Sequence, residues 1–155
     1  MKRLYQVGTI SSLILGLFDS DKTLGDIKNK GNFNFIKGRS DEKRPKPYKK
    51  FTETVHKLEN LVELRGVEAI MAGVYFPEYL RKINAPGFHF HFIGHDALLG
   101  GHLYDCCSEK LKIEICMIDK LELDLLTDVG KYHEIDMAQC NKKDISVVES
   151  EVREE

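Results

Sequence analysis

Four of the six histidines of this chain lie in one short stretch, NAPGFHFHFIGHDALLGGH, which runs from Asn84 to His102. They are His89, His91, His95 and His102. Neutral imidazole is the commonest protein ligand for a metal ion. This clustering therefore suggests a metal site.

The period of a β-strand predicts how this stretch positions its side chains. GFHFHFI reads as a strand, in which successive side chains point to opposite faces. His89 and His91 would project from one face, about 7 Å apart along the strand. Phe88, Phe90 and Phe92 would enter the core from the other face. A strand fixed by three buried rings would hold two imidazoles rigidly, as a catalytic metal requires.

The third histidine of the hypothesis, His102, follows a turn that contains two glycines. Because Gly100 and Gly101 lack a Cβ atom, the backbone there can approach a neighbouring strand closely or adopt a positive φ. The spacing predicts a hairpin that brings His102 beside His89 and His91. Three imidazoles and one open position are typical of a catalytic zinc ion.

The other histidines carry less information. A lone His-x-His pair is more often ordinary polar decoration, so the metal hypothesis depends on the third histidine. His95 precedes the turn expected at Asp96 and is predicted to face solvent or to support a metal ligand. His56 and His133 are isolated, and we expect both at the surface.

Composition places the chain among globular proteins and favours no polyanionic partner. Its 155 residues are 42% hydrophobic and 31% charged, which predicts a single domain, residues 1–155, with a sizeable core. A formal net charge of −2 gives no electrostatic reason to expect nucleic acid or an anionic membrane as partner. The sequence contains no apolar run of about 18 residues, so we expect no membrane span.

The N-terminus and the cysteines together favour a cytoplasmic protein. Polar Thr9, Ser11 and Ser12 interrupt any leader-like apolar run, and Thr9 could cap a helix. An amphipathic helix is predicted there from the spacing of Ile10, Leu13, Ile14, Leu17 and Phe18. Reduced and mostly structural thiols, rather than disulfides or a zinc ribbon, are predicted for Cys106, Cys107, Cys116 and Cys140.

The remaining patterns predict an α+β fold with a mixed β-sheet core and flanking helices. TLGDIKNKG reads as a short helix that starts at Thr23 and Asp26 and ends at Gly31, and a further helix is predicted between Tyr48 and Val62. Residues 37–50 are highly charged and read as a solvated loop. Strands are predicted in NFNFI, GVEAIMAGVYF, GFHFHFI, GGHLYDCCSE and KLKIEICMI, and a short helix or turn in PEYLRKIN.

Three blocks of the sequence resemble the α-acetolactate decarboxylase family. LYQVGTISSLILGLFDSDKTLGDIKNKGNF is similar to the family's opening. FNFIKGRS…PKPY is similar to a segment in which an arginine precedes a Pro-Tyr pair. The most specific block holds Pro77-Glu78-Tyr79, Asn84, Pro86-Gly87-Phe88-His89, His91-Phe92, Gly100-Gly101-His102 and Asp105.

This resemblance implies a zinc enzyme that converts 2-acetolactate to acetoin and CO2, a small-molecule reaction. It places the three zinc ligands on His89, His91 and His102. It also places an active-site arginine on Arg39, whose forked guanidinium would hold the departing carboxylate. No thiamine or pyridoxal cofactor is implied, because the substrate's own ketone accepts the electron pair.

The resemblance further implies a glutamate near the C-terminus that delivers a proton to the product. Glu149 matches it, and Glu151 and Glu154 fit almost as well with a small shift. Family members are commonly longer, with a block containing an Asp-Gly-Glu turn that is found nowhere in this sequence. The resemblance thus implies a shortened N-terminal part, residues 1–36, and a metal-site core, residues 37–155. We expect the sheet edge left by the missing block to favour a homodimer or a rearranged edge.

Two other interpretations stay open. A small non-catalytic domain conserved in plants and prokaryotes, which serves oligomerisation and metal or ligand binding, has a similar His-x-His…Gly-Gly-His pattern. The missing Asp-Gly-Glu block favours that domain, whereas YQVGTI and Asn-x-Pro-Gly favour the decarboxylase. A cupin-like metal protein would need a glutamate a few residues after the second histidine, where His95 and Asp96 stand instead.

Overall fold

The computed structural model describes residues 5–18, 21–43, 45–47 and 59–124. The described part begins with a two-residue strand, β1 (Tyr5–Gln6), and a helix, α1 (Val7–Leu15). Four strands follow, with a single 3-10 turn, Glu78–Leu80, after the second of them. They are β2 (Gly25–Asp41), β3 (Glu59–Phe76), β4 (Gly87–Gly94) and β5 (Gly100–Met117).

The strands form one sheet that closes on itself. The order is β1-β5-β2-β3-β4, and β4 also pairs with β5. Each of β2, β3, β4 and β5 thus has two neighbours among these four, and together they make a closed ring of strands. Every pairing among the described residues is antiparallel, whereas the sequence predicted a mixed sheet.

The core lies between the inner face of this ring and α1. From α1, Ile10, Ile14 and Phe18 are 2%, 0% and 7% exposed, which confirms the predicted amphipathic helix. Leu13 and Leu17, which the same stripe included, are 48% and 61% exposed, so the buried stripe is narrower than predicted. The inner face of the ring contributes Ile27, Phe33, Ile36, Met71, Phe90, Phe92 and Leu103.

The predicted helix over TLGDIKNKG is wrong. Gly25–Gly31 is the beginning of β2, which pairs with β3 on one side and β5 on the other. Alternate residues such as Ile27 and Asn29 are buried while Lys28 and Lys30 are exposed, a strand period of two. Pairing on both edges of this segment outweighs the weak capping signals that suggested a helix.

Other boundaries also differ from the prediction. β2 continues through Arg39 to Asp41, so this part of the predicted loop is strand. The helix predicted up to Val62 is contradicted at its end, because β3 begins at Glu59, and residues 48–58 lie outside the described part. GGHLYDCCSE and KLKIEICMI form one strand rather than two. α1 begins at Val7, so Thr9 lies inside the helix and does not cap it.

Within the described ranges, the one α-helix has nine residues, and no helix there has the length and apolarity that a bilayer crossing requires. Cys106, Cys107 and Cys116 are free thiols, as predicted for these three, and Cys140 lies outside the described residues. Burial, with smaller contributions from Asp105 and Cys107, raises the pKa of the Cys106 thiol to about 12. That thiol is therefore an inert core residue at neutral pH.

The polar side chain of Asn29 lies inside the hydrophobic core. It is 0% exposed and pairs across the sheet with Met71 and Ile113. Its Oδ1 and Nδ2 have no hydrogen-bond partner among the residues that the structure describes. A buried amide without partners costs stability, because folding removes its hydrogen bonds to water and returns none.

We predict that Asn29→Leu, which keeps the branch at Cγ and removes both polar atoms, raises the free energy of unfolding by about 1–3 kcal/mol. Urea denaturation monitored by circular dichroism measures this change. Exposed Asn34 on the same strand provides the control, and Asn34→Leu should change stability by less than about 0.5 kcal/mol. A loss of stability in Asn29→Leu would contradict the structural account.

Candidate metal centre

Three histidines meet on the outer face of the sheet, opposite the core. His89 and His91 project from β4, while Phe90 and Phe92 between and beside them are 5% and 4% exposed on the inner face. His102 of β5 pairs directly with His91. The structure therefore has the alternation and the hairpin that the sequence predicted.

The three imidazoles are close enough to share one ion. One ring nitrogen from each of His89, His91 and His102 lies within 4.8 Å of the others. The Nε2 atoms of His89 and His91 are 3.0 Å apart. Two nitrogens on one tetrahedral zinc ion, each about 2.0–2.1 Å from the metal, would be about 3.3 Å apart. The donor set and its spacing thus fit a divalent cation with three imidazole ligands.

Contacts between the rings set their orientation. The ring of His102 stands edge-on to those of His89 and His91, with centroid distances of 4.7 Å and 5.4 Å. Tyr104, two residues further along β5, packs edge-on against His102 at a centroid distance of 5.5 Å. The ring of His102 therefore contacts both β4 histidines and a tyrosine, and His102 is only 8% exposed.

Two glycines allow the backbone geometry beneath this site. His102 pairs with His91 on one side and with Arg39 of β2 on the other. A Cβ atom at Gly101 would overlap the carbonyl oxygen of Arg39, and one at Gly38 would overlap the carbonyl oxygen of His102. Larger residues at these positions would push β2 and β5 apart where the site residues pair. Close backbone approach is one of the two roles that the sequence suggested for Gly101. The other, a positive φ, occurs among the described glycines at Gly66 and Gly87 instead.

His95 lies away from the cluster. It is exposed in the turn between β4 and β5, where its backbone N–H donates to the carbonyl oxygen of Glu68. Asp96 Oδ1 accepts from the N–H of Leu98 in the same turn at 3.1 Å, and Ala97 there has a φ of 57°. This placement agrees with the prediction that His95 faces solvent. His56 and His133 lie outside the described residues.

Arg39 stands beside the histidines and is buried, although the sequence placed it in a solvated loop. It is 5% exposed, and its Nη1 lies 3.3 Å from Oδ1 of Asp41. Its guanidinium carbon lies 5.9 Å from the centre of the Tyr104 ring. The loop prediction failed because long-range pairing of β2 with β3 and β5, which local charge does not reveal, extends the strand through this segment.

Sequence reasoning missed two residues of this neighbourhood, Tyr104 and Asp41. Each lies two positions after a predicted site residue on the same strand, after His102 and Arg39 respectively. The strand period of two was the available signal, once both segments had been recognised as strands. The predicted carboxylates Glu149, Glu151 and Glu154 lie outside the described residues.

An open groove adjoins the histidines on the outer face. Its volume is about 610 Å³, and His89 and His91 form one of its ends. Ala72 and Val74 of β3 line its floor. The groove gives a small molecule access to the centre from solvent.

We predict that His102→Ala weakens zinc binding by about 100-fold or more, because the ion loses one of three ligands. His95→Ala, in the turn of the same hairpin, should bind zinc as the parent chain does. Competition with a chromophoric chelator measures both affinities. Equal affinities in the two variants would refute a centre built on His102.

The ring of Tyr104 should raise the affinity for the metal, because it packs against the ligand His102. We predict that Tyr104→Leu lowers zinc affinity about tenfold, because His102 loses the packing that orients it. Tyr104→Phe keeps the ring, so its zinc affinity should stay within about threefold of that of the parent chain. This change is smaller than the loss expected when the orientation of a ligand is disturbed. The same chelator competition measures the difference, and equal losses in both variants would show that the ring does not orient His102.

The comparisons with known proteins agree on one family. The family model described as alpha-acetolactate decarboxylase matches residues 27–139. The α-acetolactate decarboxylase of Brevibacillus brevis is 30% identical over 134 residues, which are 86% of this chain and 46% of that protein. The one from Methanosarcina mazei is 31% identical over 125 residues, 79% of this chain and 42% of that protein. The chain thus spans about half the length of the curated relatives it matches.

Solved structures share the fold. The acetolactate decarboxylase from Bacillus subtilis subspecies spizizenii has a TM-score of 0.85 at 22% identity, over 96% of this chain and 63% of that one. The enzyme from Bacillus subtilis strain 168 has a TM-score of 0.82 at 24% identity, over 97% of this chain and 64% of that one. The family match covers most of the chain, and two relatives reach 30% identity or more. The chain therefore belongs to the α-acetolactate decarboxylase family.

Proposed function

We propose that this chain is a metal-dependent carbon–carbon lyase that converts 2-acetolactate to acetoin and CO2. The observation that carries the proposal is the convergence of three imidazoles within 4.8 Å, beside the buried cation of Arg39. Membership of the family supports the reaction, since the relatives named above are α-acetolactate decarboxylases. The proposed substrate is a small 2-hydroxy-3-keto acid.

The proposed metal is zinc, held by His89, His91 and His102. Three neutral imidazoles leave room in a tetrahedral sphere for a substrate or water oxygen, which is the arrangement of catalytic zinc sites. Imidazole also binds other divalent ions. Zinc is the ion that we propose, and other divalent ions fit the same three ligands. The inner-face rings of Phe90 and Phe92 support this assignment, because they fix the strand that carries two of the ligands.

The chemistry requires stabilisation of negative charge on the substrate. When the bond between the carboxylate and its carbon breaks, CO2 leaves and the electron pair moves into the adjacent ketone. A divalent ion supplies Lewis-acid stabilisation for that developing charge when bound. The protein must orient the carboxylate so that it can leave, limit water around the reacting carbons and return one proton to the carbon.

Arg39 is proposed to orient the carboxylate. A guanidinium presents five N–H donors in a planar fork, so it can contact Asp41 and a substrate carboxylate at the same time. Tyr104 and Asp41 support this role, because their contacts fix the guanidinium near His102. Its burial strengthens any ion pair that it forms with the substrate, because water screens the charges less.

Glu149 is proposed as the group that returns the proton, with Glu151 and Glu154 as alternatives. Each can be tested by exchange for glutamine, which keeps the shape and removes the acid. The proposed assembly is a homodimer in the cytoplasm, without nucleic acid or membrane as partner. The free thiols of Cys106, Cys107 and Cys116 support a reducing compartment.

A second candidate function is a metal-binding domain that serves oligomerisation without catalysis. One observation favours it: the Asp-Gly-Glu turn that the family resemblance implies is found nowhere in this sequence. Such a domain would hold the same ion on the same histidines but would not turn over acetolactate.

We predict that the zinc-loaded chain forms acetoin from acetolactate and that Arg39→Lys lowers kcat/KM by tenfold or more, since lysine cannot form a bidentate contact. Zinc content should stay unchanged in this variant. A colorimetric acetoin assay and metal analysis on the same samples measure both quantities. Arg65→Lys, at an exposed arginine that stacks on Phe35, is the control and should keep full activity.

The result separates the two candidate functions. Acetoin formation that needs zinc and Arg39 supports the decarboxylase. A zinc-loaded sample that forms no acetoin contradicts it and favours the non-catalytic metal-binding domain.

A further inference from the structure

The groove beside the histidines is larger than the small proposed substrate needs. Its volume of about 610 Å³ falls in the range of sites for drug-sized ligands, about 300–1,000 Å³. Acetolactate carries one methyl group on its hydroxyl-bearing carbon and one on its ketone. The outer face therefore offers space that acetolactate leaves empty.

Strand register makes this space continuous with the metal centre. Val74 of β3 pairs with His89, and Ala72 pairs with His91. On the far side of β3, Asp26 and Lys28 of β2 pair with Val74 and Ala72. Since neighbouring strands lie about 4.8 Å apart, the groove extends about 10 Å across the sheet from the histidine strand.

The floor and the rim of the groove differ in chemistry. Ala72 and Val74 are short apolar residues, so they leave depth without offering hydrogen bonds. The cations near the rim lie close to acids: Lys112 bonds Glu114, and Lys28 faces Glu114 across the strand pair. The hydrogen bond and the charge of Lys112, with a smaller effect of Lys28, lower the pKa of Glu114 and keep it ionised. With Asp26, the rim holds two acids against these two cations, so it carries no net charge that would attract a second carboxylate on a ligand.

We infer that this groove binds an extended, uncharged apolar substituent of a 2-hydroxy-3-keto acid, so that the site accepts butyl- or benzyl-sized groups in place of a methyl group. This inference rests on the proposed function, since it places the reacting carbons at the histidines. The substituent then covers Ala72 and Val74. Burial of the substituent removes its apolar surface from water, so a substrate with a larger apolar substituent should bind more tightly.

The test compares acetolactate with its 2-benzyl homologue on the zinc-loaded full chain. We expect the parent chain to decarboxylate both, with kcat/KM for the benzyl compound at least equal to that for acetolactate. Val74→Phe and Ala72→Leu fill the groove floor, and each should lower kcat/KM for the benzyl compound tenfold or more, mainly through KM. The loss of kcat/KM on acetolactate should be at least fivefold smaller than the loss on the benzyl compound, because the methyl group of acetolactate does not cover the groove floor.

Glu68→Phe is the matched control. It adds the same ring on the same strand outside the groove and removes only an exposed ion pair with Lys30, 3.6 Å long. It should leave the kinetics of both substrates unchanged. Equal losses in Val74→Phe and Glu68→Phe would overturn the inference.

A binding measurement separates failure of the groove from failure of the proposed function. Calorimetry compares acetoin with 3-hydroxy-4-phenylbutan-2-one, the benzyl product, on the same zinc-loaded protein. The benzyl ketone should bind tenfold tighter or more, and Val74→Phe should abolish this preference. Turnover of acetolactate without such a preference overturns the groove assignment and leaves the decarboxylase standing. A preference that Val74→Phe abolishes, in a protein that forms no acetoin, supports the groove assignment and contradicts the decarboxylase.

Discussion

The site depends on one row of backbone pairing that crosses three strands. His91 of β4 pairs with His102 of β5, and His102 pairs with Arg39 of β2. Side chains of directly paired residues share a face, so this row brings two imidazoles and a guanidinium together. The row exists because β4 meets β5 and closes the ring of strands, and because Gly38 and Gly101 let β2 and β5 approach without a Cβ between them.

The two faces of these strands have different roles: the outer face carries the candidate metal ligands, and the inner face forms the hydrophobic core. On β4, phenylalanine rings fill the core from the inner face, whereas His89 and His91 project from the outer one. A slip of one residue in register would exchange the two sets, placing imidazoles in the core and rings in solvent. The burial of the rings therefore fixes the position of the ligands. Asn29 departs from this separation, since its amide lies on the inner face among apolar residues and has no hydrogen-bond partner among the described residues.

The sequence predicts the β4–β5 hairpin well because its information is local. Alternation of Phe90 and His91, the turn residues and Gly101 all lie within one short stretch, and the strand and the pairing follow from them. β2 was predicted only in its middle, at NFNFI, because its partners are far away in sequence. Pairing with β3 and β5, and not local propensity, makes a strand of a segment with helix-like caps and a charged end. The burial of Arg39 and the packing of Tyr104 depend on that long-range pairing, so local charge could not reveal them.

The central claim is that His89, His91 and His102 bind one divalent ion together. X-ray absorption at the zinc edge of the zinc-loaded chain tests it most directly, because it reports the type, number and distance of the ligand atoms. The account predicts three imidazole nitrogens at about 2.0–2.1 Å, accompanied by oxygen and no sulfur. A shell containing sulfur at about 2.3 Å, which would place the ion on cysteine, or a shell with one imidazole, would contradict it.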